Sequence, residues 1–575
     1  MHKIMKTLKI ISIASILLMI SSVSCDVLEE KIISGITVDT HYSTPNGFRD
    51  AVRACYARLR YFYGQENGCK TTVFGTDEYT RGGHGSDHAI NNYEAGLNAE
   101  AGPFWDNWQQ FYICINTCNA VIGRAPQANL PESEKKVLVG EARFIRAHIY
   151  YLLVEMFGPI HLTLEETTGV ETEANRTPEK DIYDAIIEDL TYAAENLPVT
   201  QSEFGRITKA AAMHHLALVY LTRAYKPFGA PTDFAQAASL AVDVINNSPH
   251  QLLADYQQVY NIKDSKGNLY HGNEQNKEII WSIQFDIDPL LNPVGNETHL
   301  YFRPWYETYD KGGLVRGLGH GYGRPWIRYR PTAWLLDNFR PLDVDSRFVK
   351  SFQVVWYFNS TSGIPAGANI GDTAIFITDK KLDQASFNAI QARLPYANIF
   401  SWHKDDIDNP WSLWKSDVSV VNPNINIFPS PWKFDDNLRA SLNEQEGSRD
   451  FIVFKLSETY LIAAEAMLGR DGNANEAVNY INVIRRRAAW PGKEAQMEVS
   501  ASQVDLDFIL DEWSRESFGE QQRWLDLKRT GKLLERVRKY NPDATKNIQE
   551  KHLLRPIPAN QIIRCTNKYE QNPGY

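Results

Sequence analysis

Cysteine and methionine are scarce in this chain of 575 residues, at six and seven copies, and positive charge is in deficit, with 60 Lys and Arg against 70 Asp and Glu. Six cysteines over this length build no disulfide scaffold. Cys55 with Cys69 is a pairing that the sequence leaves open. Cys114 and Cys118 fall on one helical face, where thiols act as small apolar groups. No histidine or second cysteine pair completes a metal site around them, so packing is expected there. The net charge of -10 argues against nucleic acid and against adsorption to an anionic membrane. Catalytic signatures are missing as well: there is no Gly-x-Ser-x-Gly elbow, no Walker loop and no His-Glu-x-x-His. Asp77 and Glu78 are neighbours in an expected loop, and Asp405, Asp406 and Asp408 read as a solvated acidic turn. Neither set offers carboxylates facing each other across a cleft. His84 and His88 have helical metal spacing, but Gly82-Gly83-His84-Gly85 predicts a loop, which removes the reason for it. His214 and His215 lie inside an expected helix and pack or face water. The chain is therefore expected to be no enzyme, and to need no cofactor or metal.

The N-terminus carries Lys3, Lys6 and Lys9 and then an apolar run from Ile10 to Ile20. A bilayer needs about 20 apolar residues, so this run is a secretory signal rather than a span. Ser21-Ser-Val-Ser-Cys25 follows, with small residues before a cysteine able to accept a diacylglycerol, so residues 1–24 are expected to be removed and Cys25 lipidated. Loss of the three lysines takes the remaining chain from -10 to -13. The lipid would be its membrane attachment, and two or more acyl chains suffice for a stable anchor where one is marginal.

Helical punctuation then dominates. Thr44-Pro45 predicts a helix start, with Phe48, Val52, Tyr56 and Leu59 on one stripe. Further helices are expected from Phe104, from Pro131 to Gly158, from Thr177-Pro178 to Leu197, from Thr208 to Tyr225 and from Asp233 to Asn246. Length alone would allow about four domains. Stacked helix pairs form one continuous core instead. Between Phe451 and Arg529 the pattern repeats: Lys455 to Arg470 mixes large apolar and small residues at helical spacing, Asp471-Gly-Asn breaks it, Ala474 to Ala488 restarts it, and Ile509 to Arg529 adds a third unit. Alanine and glycine at the crossing points let helices nest as in tetratricopeptide-type repeats.

This C-terminal segment closely resembles the signature of the SusD/RagB family of outer-membrane nutrient-binding lipoproteins. Glu512, Arg515, Glu516, Glu520, Arg523, Trp524, Asp526, Leu527 and Arg529 hold the family frame, while Trp513, Ser514, Ser517 and Gln521 depart from it. Leu554 to Ile562 and Gln571 to Tyr575 look like the family's final loop and terminus. Trp108, Tyr112 and Asn119 are similar to one N-terminal family helix, and Glu141, Arg143 and Arg146 to another. In the middle, Pro331 to Phe339 with Asp345 and Arg347 also fits. The resemblance implies a mostly α fold, a tetratricopeptide-like scaffold carrying an irregular, loop-rich insertion. Its regions would be an N-terminal helical part at 25–247, the insertion at 248–450 and a C-terminal helical part at 451–575. The frame charges, with Arg485-Arg-Arg487 as donors, are expected to tie the last helices together by ion pairs at three- and four-residue spacing.

The insertion supplies the positive functional signal. Phe, Trp and Tyr make up 12% of the chain, and the loop-rich middle holds Tyr301-Phe-Arg-Pro-Trp-Tyr306, Tyr309, Tyr322-Gly-Arg-Pro-Trp326 and Arg328-Tyr-Arg330. Sugars stack C–H patches on aromatic faces and offer hydroxyls to Asn, Asp and Arg. Core packing is the competing role for any one ring. The resemblance places ligand contacts before the Trp108 helix and in the insertion, which points to Arg81, Asn98 and Trp105 on one side and Trp305, Tyr309 and Trp326 on the other. It implies a lipid-anchored protein of the outer membrane, facing the cell exterior. Such a protein captures oligosaccharides and passes them to a SusC-like TonB-dependent barrel. Peptide cargo in the same architecture, a glycan-degrading helical enzyme and a repeat adaptor binding only proteins are the alternatives.

Overall fold

The computed structural model describes residues 41–260, 274–308, 312–319, 321–407, 410–414 and 423–575. The signal segment, Cys25, Tyr309 and Asp408 lie outside them. Among the described residues, no helix is long and apolar enough to cross a membrane.

Twelve principal helices carry the fold. They are α1 (Pro45–Leu59), α2 (Glu66–Thr72), α3 (Gly102–Arg124), α4 (Glu132–Phe157), α5 (Glu179–Asn196), α6 (Lys209–Ala224), α7 (Asp233–Asn247), α8 (Leu456–Asp471), α9 (Ala477–Ala488), α10 (Leu506–Ser517), α11 (Arg523–Arg529) and α12 (Leu533–Tyr540). Their starts follow the expected chemistry. The Thr44 hydroxyl accepts from the Gly47 N–H with Pro45 in the first turn of α1, and Thr208 caps α6 in the same way. The αL residue Gly472 stops α8.

Successive helices α4 to α7 pack as neighbours, and α7 then packs against α8. The helical layer thus continues across an insertion of about two hundred residues. Small side chains make this possible: Ala237, Ala238 and Ala241 of α7 and Ala463, Ala464 and Ala466 of α8 are all buried. At Gly469 a Cβ would lie 2.4 Å from the Phe234 ring, so a larger residue at that crossing would have to displace the ring.

The insertion is knitted into this platform by short antiparallel pairs. β1 (Tyr79–Arg81) pairs with β3 (Tyr329–Pro331), and β2 (Ile279–Ile283) with β9 (Phe451–Lys455), which runs directly into α8. β4 (Phe352–Gln353) pairs with β8 (Ser430–Pro431). A small mixed sheet joins β5 (Val355–Tyr357), β6 (Thr373–Thr378) and β7 (Asn398–Ser401). One continuous hydrophobic core draws residues from all three expected regions.

The predicted ion-pair network is present, with different reach. Glu512–Arg515 and Asp526–Arg529 each follow the i,i+3 spacing along one helix. The other links cross between elements. Arg347, fully buried, meets Asp345, Glu512 and Glu516 at 2.7, 2.6 and 2.8 Å. Arg485 reaches Glu512 and Arg487 reaches Glu516, while Arg486 turns outward to the exposed Glu498. Lys433 and Lys455 both bind Glu520. All five described cysteines are free, so no bridge joins Cys55 to Cys69. Cys114 lies 3.8 Å from the Cys55 carbonyl, inside the core.

Candidate functional site

Five backbone hydrogen bonds tie the aromatic-rich loops into a crest. The β1–β3 ribbon extends beyond its strands, since the Gly82 N–H donates to the Arg328 carbonyl and the His84 N–H to that of Ile327. Trp326 and Arg328 donate in turn to Leu300 and Tyr301, and Trp305 donates to Asn426 at 2.8 Å. A Cβ on Gly82 would lie 2.1 Å from the Ile327 carbonyl oxygen, which explains glycine in that loop. The aromatic-rich segments are therefore pinned to the frame through their backbones; Tyr301, Phe302, Tyr306 and Tyr329 are buried beneath them, and Trp305, Tyr322 and Trp326 are only half-buried.

The tryptophans divide sharply. Trp108, Trp281, Trp356, Trp402 and Trp524 are fully buried, whereas Trp105, Trp305 and Trp326 are only half-buried. Trp305 meets the His84 ring edge-on, with centroids 4.8 Å apart and planes at 82°. His84 thus packs against an indole, and the described residues contain no group of His, Cys, Asp and Glu able to hold a metal. Trp326 lies 5.8 Å from Tyr301, with the Arg328 and Arg324 guanidinium carbons 4.9 and 5.8 Å from its ring centre.

Arg81, Asn98 and Trp105 have different local partners. Arg81 belongs with the Trp305 crest because β1 pairs with β3, and its Nε lies 3.8 Å from Asp543. Asn98 is exposed and organises its own turn, accepting from the Glu100 N–H and donating to the Ala95 carbonyl. Trp105, on the first turn of α3, carries the Arg564 guanidinium 4.7 Å from its ring centre, beside the C-terminal segment.

A polar cleft that sequence reasoning missed adjoins the crest. Its volume is about 410 Å³, lined chiefly by Gln65, Glu66, Asn67, Asp106, Gln110 and Glu297. Glu66 links it to the crest by lying 3.1 Å from the Arg328 Nε, and Glu297 accepts from the Tyr301 hydroxyl. Three distant stretches contribute, so no local spacing could have disclosed it. A second cleft, about 420 Å³, lies over α1 and is lined by Arg53, Tyr56, Phe204 and Arg206 among others.

The carboxylates weighed for catalysis have structural partners. Asp77 is fully buried, bidentate to Arg523 at 2.7 and 2.8 Å and bonded to Arg536 at 2.7 Å. Asp406 is buried, contrary to a solvated turn, and accepts from the Leu382 N–H, while Asp405 is exposed and pairs with Lys404. His214 and His215 pack inside the core, where burial pulls His214 down to about 3. Glu78 differs. Burial pushes its carboxyl up to about 7, with Arg523 opposing the shift and Asp77 adding to it. A folded value above the unfolded one means that Glu78 favours folding most at low pH, and that this contribution fades as pH rises from 4.5 through 7. Glu78→Gln is therefore expected to stabilise the protein at pH 8 by about 3 kcal/mol at most, with the gain vanishing near pH 4.5. Urea unfolding midpoints at both pH values would check this; a gain that is independent of pH would contradict it.

Comparisons with known proteins agree with this architecture. The family model described as "SusD family" matches residues 426–575, and one described as "Starch-binding associating with outer membrane" matches residues 50–221. SusD-like protein P2 of Formosa agariphila is 27% identical, over 98% of this chain and 99% of its own length. Starch-binding protein SusD of Bacteroides thetaiotaomicron is 24% identical, over 76% of this chain and 72% of its own. Among solved structures, surface glycan-binding protein A of Bacteroides thetaiotaomicron in complex with laminarihexaose superposes with a TM-score of 0.64 at 18% identity, covering 92% of this chain and 99% of that one. Matches at both ends, relatives spanning nearly the full length and a shared helical platform converge on one assignment: this chain belongs to the SusD/RagB family.

Proposed function

We propose that this protein captures oligosaccharides at the cell surface and hands them to a SusC-like TonB-dependent barrel in the outer membrane. The observation carrying this reading is the pair of half-buried indoles, Trp305 and Trp326, fixed by backbone bonds on a rigid crest beside a cleft lined by amides and carboxylates. Rings held in place lose little entropy when a sugar stacks on them, and the cleft offers both donors and acceptors to its hydroxyls. The names of the relatives, which include starch-binding and glycan-binding proteins, support the same role. A lipid on Cys25 would hold the protein at the outer membrane, and capture and release would proceed without covalent chemistry.

Affinity electrophoresis against a panel of polysaccharides tests the reading. Retardation by at least one polysaccharide is expected, with no shorter products after prolonged incubation. Shortened chains would make the protein an enzyme, and retardation by none would remove glycan capture.

A further inference from the structure

Three histidines meet inside the platform. His148 of α4 and His214 and His215 of α6 are each no more than 2% exposed. The Tyr63 hydroxyl lies 2.7 Å from His148 Nε2, and His148 Nδ1 lies 3.2 Å from His215 Nε2. His214 Nδ1 pairs with the Thr459 hydroxyl of α8 at 2.8 Å, while His215 Nδ1 is buried without a hydrogen-bond partner. Aromatic rings close the remaining sides. Trp281 stands edge-on to His148 with centroids 5.1 Å apart, and the Phe454 ring is 4.4 Å from His214 and 5.3 Å from His215. Trp281 and Phe454 face each other in the β2–β9 register. That ribbon joins the insertion's first strand to the start of α8, so the cluster sits where insertion and platform meet.

Hydrogen bonding limits the charge this cluster can carry. In the His148–His215 contact one ring donates and the other must accept, so at least one of them is neutral. Charging both would set two N–H groups against each other across 3.2 Å. The surroundings offer no relief. β2 has no titratable side chain. On β9, Lys455 adds positive charge near His214. At the start of α8, Glu458 is taken up by Lys455 and the Ser517 hydroxyl. Burial keeps the neighbouring Tyr63 and Tyr151 phenols and the His250 imidazole uncharged. Burial likewise holds His148 and His214 down at about 3 and His215 well below its usual range. In the unfolded chain each takes a proton at about 6.5. The folded values are depressed, so the unfolded state binds more protons as pH falls through 6.5. Stability that is full above that pH is therefore lost steadily below it.

We infer that His148, His214 and His215 form an acid-sensitive latch, which holds the insertion's β2 on the helical platform at neutral pH and releases it in mildly acid medium. The latch does not depend on what the crest binds.

Urea unfolding and hydrogen exchange at pH 7.5, 6 and 5 test it. Each histidine should raise the unfolding equilibrium constant about tenfold between pH 6 and pH 5. Joint His148→Gln and His215→Gln replacement should therefore cut the wild-type rise over that interval by roughly a hundredfold. The quantity read is the slope with pH, so a cost of substitution at neutral pH does not obscure it. Where the double variant fails to fold, His214→Gln carries the test, with a cut of about tenfold. In the wild type, amides of β2 and β9 should lose at least about tenfold in protection from pH 7.5 to pH 5, after correction for intrinsic exchange. An unchanged pH slope in the variants, or equal protection of β2 and β9 at both pH values, would overturn the latch.

Discussion

Replacing Arg347 with methionine is expected to cost about 3–5 kcal/mol of folding free energy, the range for breaking a buried ion pair from one side. The side chain is fully buried and its partners Glu512 and Glu516 are buried too. Methionine fills much of the same volume, so the loss reports charge rather than a cavity. Three carboxylates, on Asp345, Glu512 and Glu516, would lose their common cation. Glu512 keeps Arg485 and Arg515, and Glu516 keeps Arg487, so the site should weaken without dissolving. A pH signature distinguishes this mechanism from poor packing. Burial raises the Glu512 carboxyl, but Arg347, Arg515 and Arg485 together hold it well below its usual range. Its stabilising contribution is therefore full above about pH 4.5 and lost as pH falls below that. The gap between wild type and Arg347→Met should narrow in acid, and adding Glu516→Gln to the variant should recover part of the loss. Urea unfolding at pH 7.5 and pH 4 measures both effects. A loss below about 1 kcal/mol at neutral pH would mean that this network does not hold the last helices.

Joint replacement of Trp305 and Trp326 by alanine should weaken glycan binding by roughly a hundredfold, or about 3 kcal/mol for two stacked rings with their buried area. Neither indole is fully buried, and their segments are anchored through backbone bonds that alanine retains. Unfolding should therefore shift little, which separates lost contact from lost structure. The two single variants need not weigh equally. Arg328 and Arg324 already approach the Trp326 ring, so a sugar there must share the indole or displace a guanidinium, whereas Trp305 has His84 at its edge. Trp305→Ala is expected to be the more harmful. Unchanged binding in the double variant would move the glycan off the crest, with the polar cleft at Glu66, Asn67 and Asp106 the next place to substitute.

The helical platform was legible because its signals are local. A cap at Thr44, a proline at the first turn and the alanines of α7 and α8 act within a few residues, and they set helix ends and crossings wherever the chain goes. The separation of core indoles from surface ones was not legible: Trp305 and Trp356 stand in equally aromatic surroundings, yet one is half-exposed and the other sealed. Burial depends on which segment pairs with which, and the β1–β3 pairing spans some 250 residues. The same pairing set Arg81 opposite Tyr329 and brought Gly82 and His84 against Arg328 and Ile327.

Taken by itself, the sequence determined the helices, the charged frame of the C-terminal segment and the family, because each depends on residue order over a few turns. Tertiary structure decided which carboxylates are locked in ion pairs, which rings reach solvent and which histidines meet in the core. Those outcomes depend on distances between residues far apart in the chain, and short-range periodicity carries no record of them.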